Sequence, residues 1–177
     1  AIAEALFGDY NPGGRLAVTF PKSVGQIPFA FPFKPGSDES SETSVYGALY
    51  PFGHGLSYTT FQYSDLVISP SKQGVQGNIS ISCTIKNIGQ REGDEVVQLY
   101  LRDEVSSVTT YTQVLRGFER ITLKPEASHT VHFELTPQEL GIWDKQMNFT
   151  VEPGMFKVMI GSSSKDIRLK GEFEIAQ

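Results

Sequence analysis

Ile79, Ile81, Cys83 and Ile85 alternate with Ser80, Ser82, Thr84 and Lys86, and this two-residue period returns again and again to the end of the chain. Successive side chains of a strand point to opposite faces, so the pattern describes strands with one face buried and one face wet. Val97, Leu99 and Leu101 share a face, although apolar residues also fall on the other face of Glu95 to Leu101. Val131, Phe133 and Leu135 alternate with His132 and Glu134, and Phe156, Val158 and Ile160 point inward from the next strand. Ile167, Leu169, Phe173 and Ile175 form the last inward row, with Gly171 at an inward position where a bulge or close packing is expected. Gln113 to Leu123 reads as a strand pair broken at Gly117. Turn signals separate these runs at Asn87 to Gly93, Lys124-Pro125 and Pro153-Gly154. Thr136-Pro137-Gln138-Glu139 has the order of a capping box with proline at N1, which predicts a single helical turn. About seven short strands from Phe61 onward, with no long helix, predict an antiparallel β-sandwich of the immunoglobulin or fibronectin III type. Such a unit has enough inward aliphatic and aromatic side chains to fold alone.

The first third of the chain reads differently. Ile2 and Leu6 are spaced i, i+4 among the helix formers Ala1, Ala3 and Ala5, no capping residue precedes them, and Gly8 is the expected stop. Leu16 to Phe20 is a near-continuous apolar run ended by Pro21, the pattern of a strand covered on both faces in an α/β sheet. One helix and one strand cannot close a core, so this part is expected to be a fragment of a larger α/β unit. Lys34 to Val45 is polar and acidic, with Asp38, Glu39 and Glu42, and reads as an exposed loop. It serves either as a rim contributing carboxylates to a site or as a solvated insertion. Tyr50 to Phe61 (YPFGHGLSYTTF) joins the two architectures. Pro51, Gly53 and Gly55 break any ladder, while Tyr50, Phe52, Leu56, Tyr58 and Phe61 supply apolar surface for a packed, rigid joint. The expected division is 1–57, an α/β remnant with its linker, and 58–177, the sandwich.

Composition excludes several classes. A formal net charge of −5 with no basic run disfavours a nucleic-acid partner. No apolar run approaches the length of a membrane span. A single cysteine, Cys83, excludes an intrachain disulfide and a thiolate zinc site, and its inward register makes it a small buried hydrophobe. The glycines of the joint match neither a nucleophile elbow nor a dinucleotide-binding fingerprint. His54 is a candidate pocket residue, with a structural histidine as the plainer role; His129 and His132 flank an edge-like strand, and no metal site or cofactor is expected. Asn78-Ile79-Ser80 and Asn148-Phe149-Thr150 are glycosylation sequons that matter only in a eukaryotic secretory pathway.

The phrases ALFGDYNPGGRLAVTFPKSVGQIP, LYPFGHGLSYTTFQYSDL, IKNIGQREGDEVVQLYLRD, LRGFERITLKP and EPGMFKVMIGSSSKDIRLKGEFE follow one another in an order that resembles the carboxy-terminal end of family 3 glycoside hydrolases, the β-glucosidase family. The resemblance implies a parent enzyme with a (β/α)₈ barrel, an α/β sandwich domain and a terminal fibronectin III-like domain, of which this chain covers the end of the second and all of the third. It implies retaining hydrolysis of β-glucosides, by an aspartate nucleophile and a glutamate acid/base about 5–5.5 Å apart. Both motifs fall upstream of Ala1, so no catalytic residue is assigned here and the fragment itself is expected to be inert. Its partners would be the upstream catalytic domains, and its location periplasmic or secreted. His54 stands where the family commonly has an aromatic, Ala17 where it often has proline, and the 34–46 loop follows no family pattern. The competing reading is an autonomous module that binds carbohydrate or protein through exposed aromatics, with Tyr100, Tyr111 and Trp143 as candidates.

Overall fold

A computed structural model describes residues 2–27, 29, 31–37 and 47–177. In chain order the elements are α1 (Ile2–Phe7), β1 (Phe20–Pro21), a 3₁₀ turn (Val24–Gln26), β2 (Ala48–Tyr50), β3 (Phe61–Ser69), β4 (Lys72–Gly74), β5 (Ile79–Asn87), β6 (Gly93–Asp103), β7 (Val114–Leu123), β8 (Ser128–Leu135), α2 (Pro137–Leu140), β9 (Ile142–Trp143), β10 (Phe149–Thr150), β11 (Gly154–Gly161) and β12 (Ile167–Ala176). Two sheets make the sandwich: a five-stranded one in the order β4-β12-β11-β6-β7 and a three-stranded one in the order β3-β5-β8. All pairings within them are antiparallel except β12 with β4.

The inward rows read from the sequence meet between the sheets. Ile79, Ile81, Cys83 and Ile85 from β5, Val97, Leu99 and Leu101 from β6, and Phe156, Val158 and Ile160 from β11 belong to one buried cluster. Phe156 and Phe173 stack with ring centroids 5.4 Å apart, which ties β11 to β12. Gly171 is a point of close approach between the sheets: a Cβ there would lie 2.6 Å from Ile68 Cδ1 and 3.1 Å from Leu66 Cδ2. Close packing, rather than a bulge, explains that glycine.

The turn after β5 is built on Asn87, whose side chain is buried and fully hydrogen-bonded. Its Nδ2 donates to the carbonyls of Arg91 and Leu123, and its Oδ1 accepts from Thr59 Oγ1 and the Gly89 amide. The capping box at α2 forms as expected: the Gln138 amide donates to Thr136 Oγ1, and Glu139 Oε2 accepts from the Thr136 amide.

Two expectations about elements are corrected. Gln113 to Leu123 does not form a strand pair; β7 is one strand, carrying a bulge where Gly117 pairs with Leu99 and Leu115 with Tyr100, so that Arg116 is the extra residue. Gly117 is needed there because a Cβ would come within 2.9 Å of the Phe133 ring. Leu16 to Phe20 is not a strand buried on both faces. The ladder starts only at Phe20, antiparallel to β2, while Val18 is exposed and the backbone of Leu16 bonds instead to the joint. An apolar run becomes a strand only where neighbours supply its ladder, and among the described residues Leu16 bonds only to Gly53 and His54 while 17–19 have no ladder partner. Helix α1 ends at Gly8, whose φ of +84° suits glycine, and none of its side chains is fully buried, with Ile2, Leu6 and Phe7 exposed.

A test of the sheet-to-sheet contact follows from Gly171. Gly171→Ala is expected to lower the stability to urea by about 1–3 kcal/mol through overpacking. Adding Ile68→Ala frees the space, so the double variant should be less destabilised than the sum of the singles by about 0.5–3 kcal/mol. Simple additivity would show that the two residues do not compete for one volume.

Candidate functional site: the joint on the sandwich and the aromatic cleft

Strand β6 organises the site because it is covered on both faces. Its outward residues Gln98 and Tyr100 are buried beneath the joint, not exposed to water. Tyr100 donates its hydroxyl to Gln98 Oε1, and Gln98 Nε2 donates to the carbonyls of Ser162 and Gly53. Phe31 meets the Tyr100 ring edge-on at 5.7 Å and stacks on Phe52 at 4.6 Å. Burial pushes the Tyr100 hydroxyl up, well above the ordinary tyrosine range, so it stays a neutral donor. Gly53 has a φ of +80°, and a Cβ on it would sit 2.1 Å from Gln98 Oε1, so this position accepts only glycine.

The joint is held mainly by hydrogen bonds to the segment before it. The Gly53 amide donates to the Leu16 carbonyl and the Leu16 amide to the His54 carbonyl, both at 2.8 Å. Asn11 Oδ1 accepts from Ser57 Oγ and the Tyr58 amide, and Tyr58 Oη donates to the Ala5 carbonyl at 2.6 Å. His54 stacks on Tyr50 with centroids 5.1 Å apart, a structural placement. The expected apolar packing of the joint holds for Phe52 and Phe61, whereas Tyr50, Tyr58 and Leu56 are exposed, Leu56 most of all at 73%.

Below the joint lies an ion pair that the sequence reading passed over. β11 pairs with β6 only from Asp103 to Gln98, and beyond that point Arg15 Nη2 reaches Glu95 Oε1 at 2.9 Å, with both side chains almost fully buried. Burial is the largest influence on Glu95 and raises its carboxyl above the ordinary range, while Arg15 pulls the other way. Tyr63, across the core in β3, has its buried hydroxyl beside the Glu95 carboxylate, and burial, then the Glu95 charge and the hydrogen bond to it, push the hydroxyl up. A signal existed in the sequence: Glu95 has the same strand parity as Val97, Leu99 and Leu101, and a carboxylate in an inward row needs a cation.

The other candidates separate clearly. Tyr100 is buried and cannot belong to an exposed aromatic row, whereas Tyr111 and Trp143 are exposed and line one open cavity of about 250 Å³ with Arg116, Asp103 and Glu139. His129 and His132 lie on β8, at the edge of the three-stranded sheet, and His129 Nε2 is 3.7 Å from Glu119 Oε1. Cys83 is fully buried, and burial followed by the Glu119 charge pushes its thiol up to about 11, which leaves it unreactive at neutral pH. Among the described residues no group of three His, Cys, Asp or Glu side chains is placed to hold a metal ion, and no helix is long and apolar enough to cross a membrane. Asp38, Glu39 and Glu42, with the rest of 38–46, lie outside the described residues.

Comparison with known proteins agrees with this architecture. Residues 1–58 match the glycosyl hydrolase family 3 C-terminal domain, and residues 95–164 match the fibronectin type III-like domain. A periplasmic beta-glucosidase of Salmonella typhimurium is 43% identical over 187 residues, covering 99% of this chain and 24% of its own length. A beta-xylosidase of Formosa agariphila is 43% identical over 174 residues, covering 96% of this chain and 24% of its own length. Among solved structures, a β-glucosidase from Erythrobacter marinus superposes with a TM-score of 0.91 at 37% identity, over 99% of this chain and 23% of that one. A β-glucosidase from Listeria innocua in complex with glucose gives 0.88 at 32% identity, over 99% of this chain and 26% of that one. The chain therefore spans about a quarter of the length of these relatives. With both of its parts matched in order, the chain belongs to glycoside hydrolase family 3, in the region made by that family's C-terminal and fibronectin type III-like domains.

Proposed function

We propose that this chain is the distal part of a retaining β-glycosidase that removes terminal β-D-glucosyl residues, and that its sandwich braces the catalytic domains without supplying a catalytic group. The division falls at 57/58, with 1–57 completing an α/β domain and 58–177 forming the fibronectin III-like unit. The observation that carries the bracing role is the bonded seam on β6: a buried ion pair, Arg15–Glu95, and a buried amide, Gln98, both clamp the 1–57 segment to the sandwich. Contacts of that kind resist sliding, because each buried polar group that loses its partner pays the desolvation cost in full. In the retaining mechanism the nucleophile and the acid/base lie on facing domains about 5–5.5 Å apart, so a small tilt between domains spoils the attack geometry. A brace that fixes the end of the second domain supports that spacing from outside. The β-glucoside preference follows the names of the Salmonella, Erythrobacter and Listeria relatives, and the periplasmic or secreted location follows the Salmonella enzyme.

Two measurements test this reading. The purified 177-residue chain should release no chromophore from an aryl β-glucoside, while the same residues within a complete family 3 enzyme should support turnover; release by the chain alone defeats the proposal. Arg15→Ala should cost about 3–5 kcal/mol in urea unfolding because it strands Glu95, whereas replacing both partners by Met and Leu should stay within about 1 kcal/mol of the parent. A loss under about 1 kcal/mol for Arg15→Ala would place the pair among ordinary surface bridges and remove the seam's anchor.

A further inference from the structure

We infer that the cavity between β7, the 108–111 loop and the β9–β10 hairpin is a binding subsite for a neutral pyranose ring, such as one unit of a β-glucan chain. The inference goes beyond the bracing role and does not rest on it. Three local devices converge on this cavity of about 250 Å³. The first is the β7 bulge, which makes Arg116 the unpaired extra residue; bulges commonly re-aim a side chain beside a functional site. Arg116 Nε is buried without a hydrogen-bond partner, and among the described residues the guanidinium makes no ion pair. Burial lowers its pKa and the Glu139 charge opposes that, yet a guanidinium remains charged at neutral pH. Arg116 and Glu139 line the same cavity, so the guanidinium can offer its outer donors to a ligand there.

The second device is the hairpin that presents Trp143. Phe149 meets the indole edge-on at 5.5 Å, and Asp144 holds the turn through the amides of Gln146 and Asn148. Trp143 is thus supported and still 59% exposed, and Tyr111 on the facing loop is 43% exposed. Aromatic ring faces are electron-rich and match the weakly positive axial C–H groups of a β-linked glucopyranose, while water gains by leaving both surfaces. The third device is the pair of carboxylates. Asp103 and Glu139 line the cavity. One oxygen of Asp103 accepts from the Val105 amide, and Glu139 Oε2 is taken up by the α2 cap.

Charge decides the class of ligand. One guanidinium stands against two carboxylates in the lining, so a sugar acid or a phosphate is repelled overall. A neutral polyol uses both signs: adjacent hydroxyl oxygens accept from the Arg116 fork, and hydroxyl protons are donated to Asp103. The cavity is smaller than the usual range of about 300–1,000 Å³ for ligand sites, which suits one ring rather than a long chain.

Trp143 is the one tryptophan of the sequence, so its emission reports on this cavity alone. The 177-residue chain should show a saturable change in Trp143 emission on titration with cellotriose, with a Kd on the order of 1 mM. Tyr111→Ala and Arg116→Lys should each weaken binding about tenfold, the latter because an ammonium lacks the fork. Circular dichroism verifies that each variant is folded; should Arg116→Lys unfold, Tyr111→Ala, a change at an exposed side chain, carries the test alone. Flat emission with cellotriose overturns the inference, as does unchanged affinity in a folded Tyr111→Ala chain. Stronger binding of sodium glucuronate than of cellotriose overturns the neutral-sugar assignment. None of these results touches the hydrolytic activity of a longer polypeptide, so the two readings fail separately.

Discussion

The double burial of β6 is the constraint from which the rest of the structure follows. A strand covered on one face can be left polar on the other, but β6 has Val97, Leu99 and Leu101 in the sandwich core and Gln98 and Tyr100 under the joint. Those two polar side chains must find partners inside the protein, and they find each other, Gly53 and Ser162. The joint therefore cannot be moved or rebuilt without stranding a buried amide. The same requirement dictates glycine at 53, where any side chain would enter the space of Gln98.

The Arg15–Glu95 pair extends this logic past the end of the sheet. Where β11 ceases to pair with β6, the flank of the strand is open, and a buried carboxylate there needs a cation from elsewhere. Arg15 supplies it from the segment that also bonds Gly53 and His54 through Leu16. Register is thus specified at several points along one short stretch of chain. An ion pair of this kind gains little stability over an apolar replacement, but it penalises every misaligned docking, since each leaves a charge buried alone.

The sandwich was legible because its signal is local and repeated. Strand parity placed Ile79, Ile81, Cys83 and Ile85 inward, and all four are fully buried. The α2 turn was legible for the same reason, since a capping box is contained within four residues. What parity cannot show is what covers the second face of a strand. Tyr100 read as a candidate for an exposed row because nothing in Glu95 to Leu101 reveals that Phe31 and Gly53, far earlier in the chain, lie on top of it. Leu16 to Phe20 failed in the opposite direction: its composition suited a doubly covered strand, but ladder formation depends on neighbours that composition does not contain. Gly117 is ambiguous in the sequence, because a glycine in a strand marks either a break or a close approach, and only the position of Phe133 decides between them.

Strand β6 also relates the proposed brace to the proposed subsite. Glu95 near its start belongs to the seam, while Leu101 and Asp103 at its end line the aromatic cavity, a separation of roughly 20–27 Å along an extended strand. A central strand paired on both sides is stiff, so the seam fixes the orientation of the cavity without sharing a residue with it. The loop wall is tied as well, through the Thr112 amide to the Phe33 carbonyl at 2.9 Å. Tyr111 therefore stands next to a residue anchored on the linker, and Trp143 stands on a hairpin locked by Asp144 and Phe149. Rigid aromatic walls lose little entropy when a ring enters the cavity, which favours the proposed single-ring subsite.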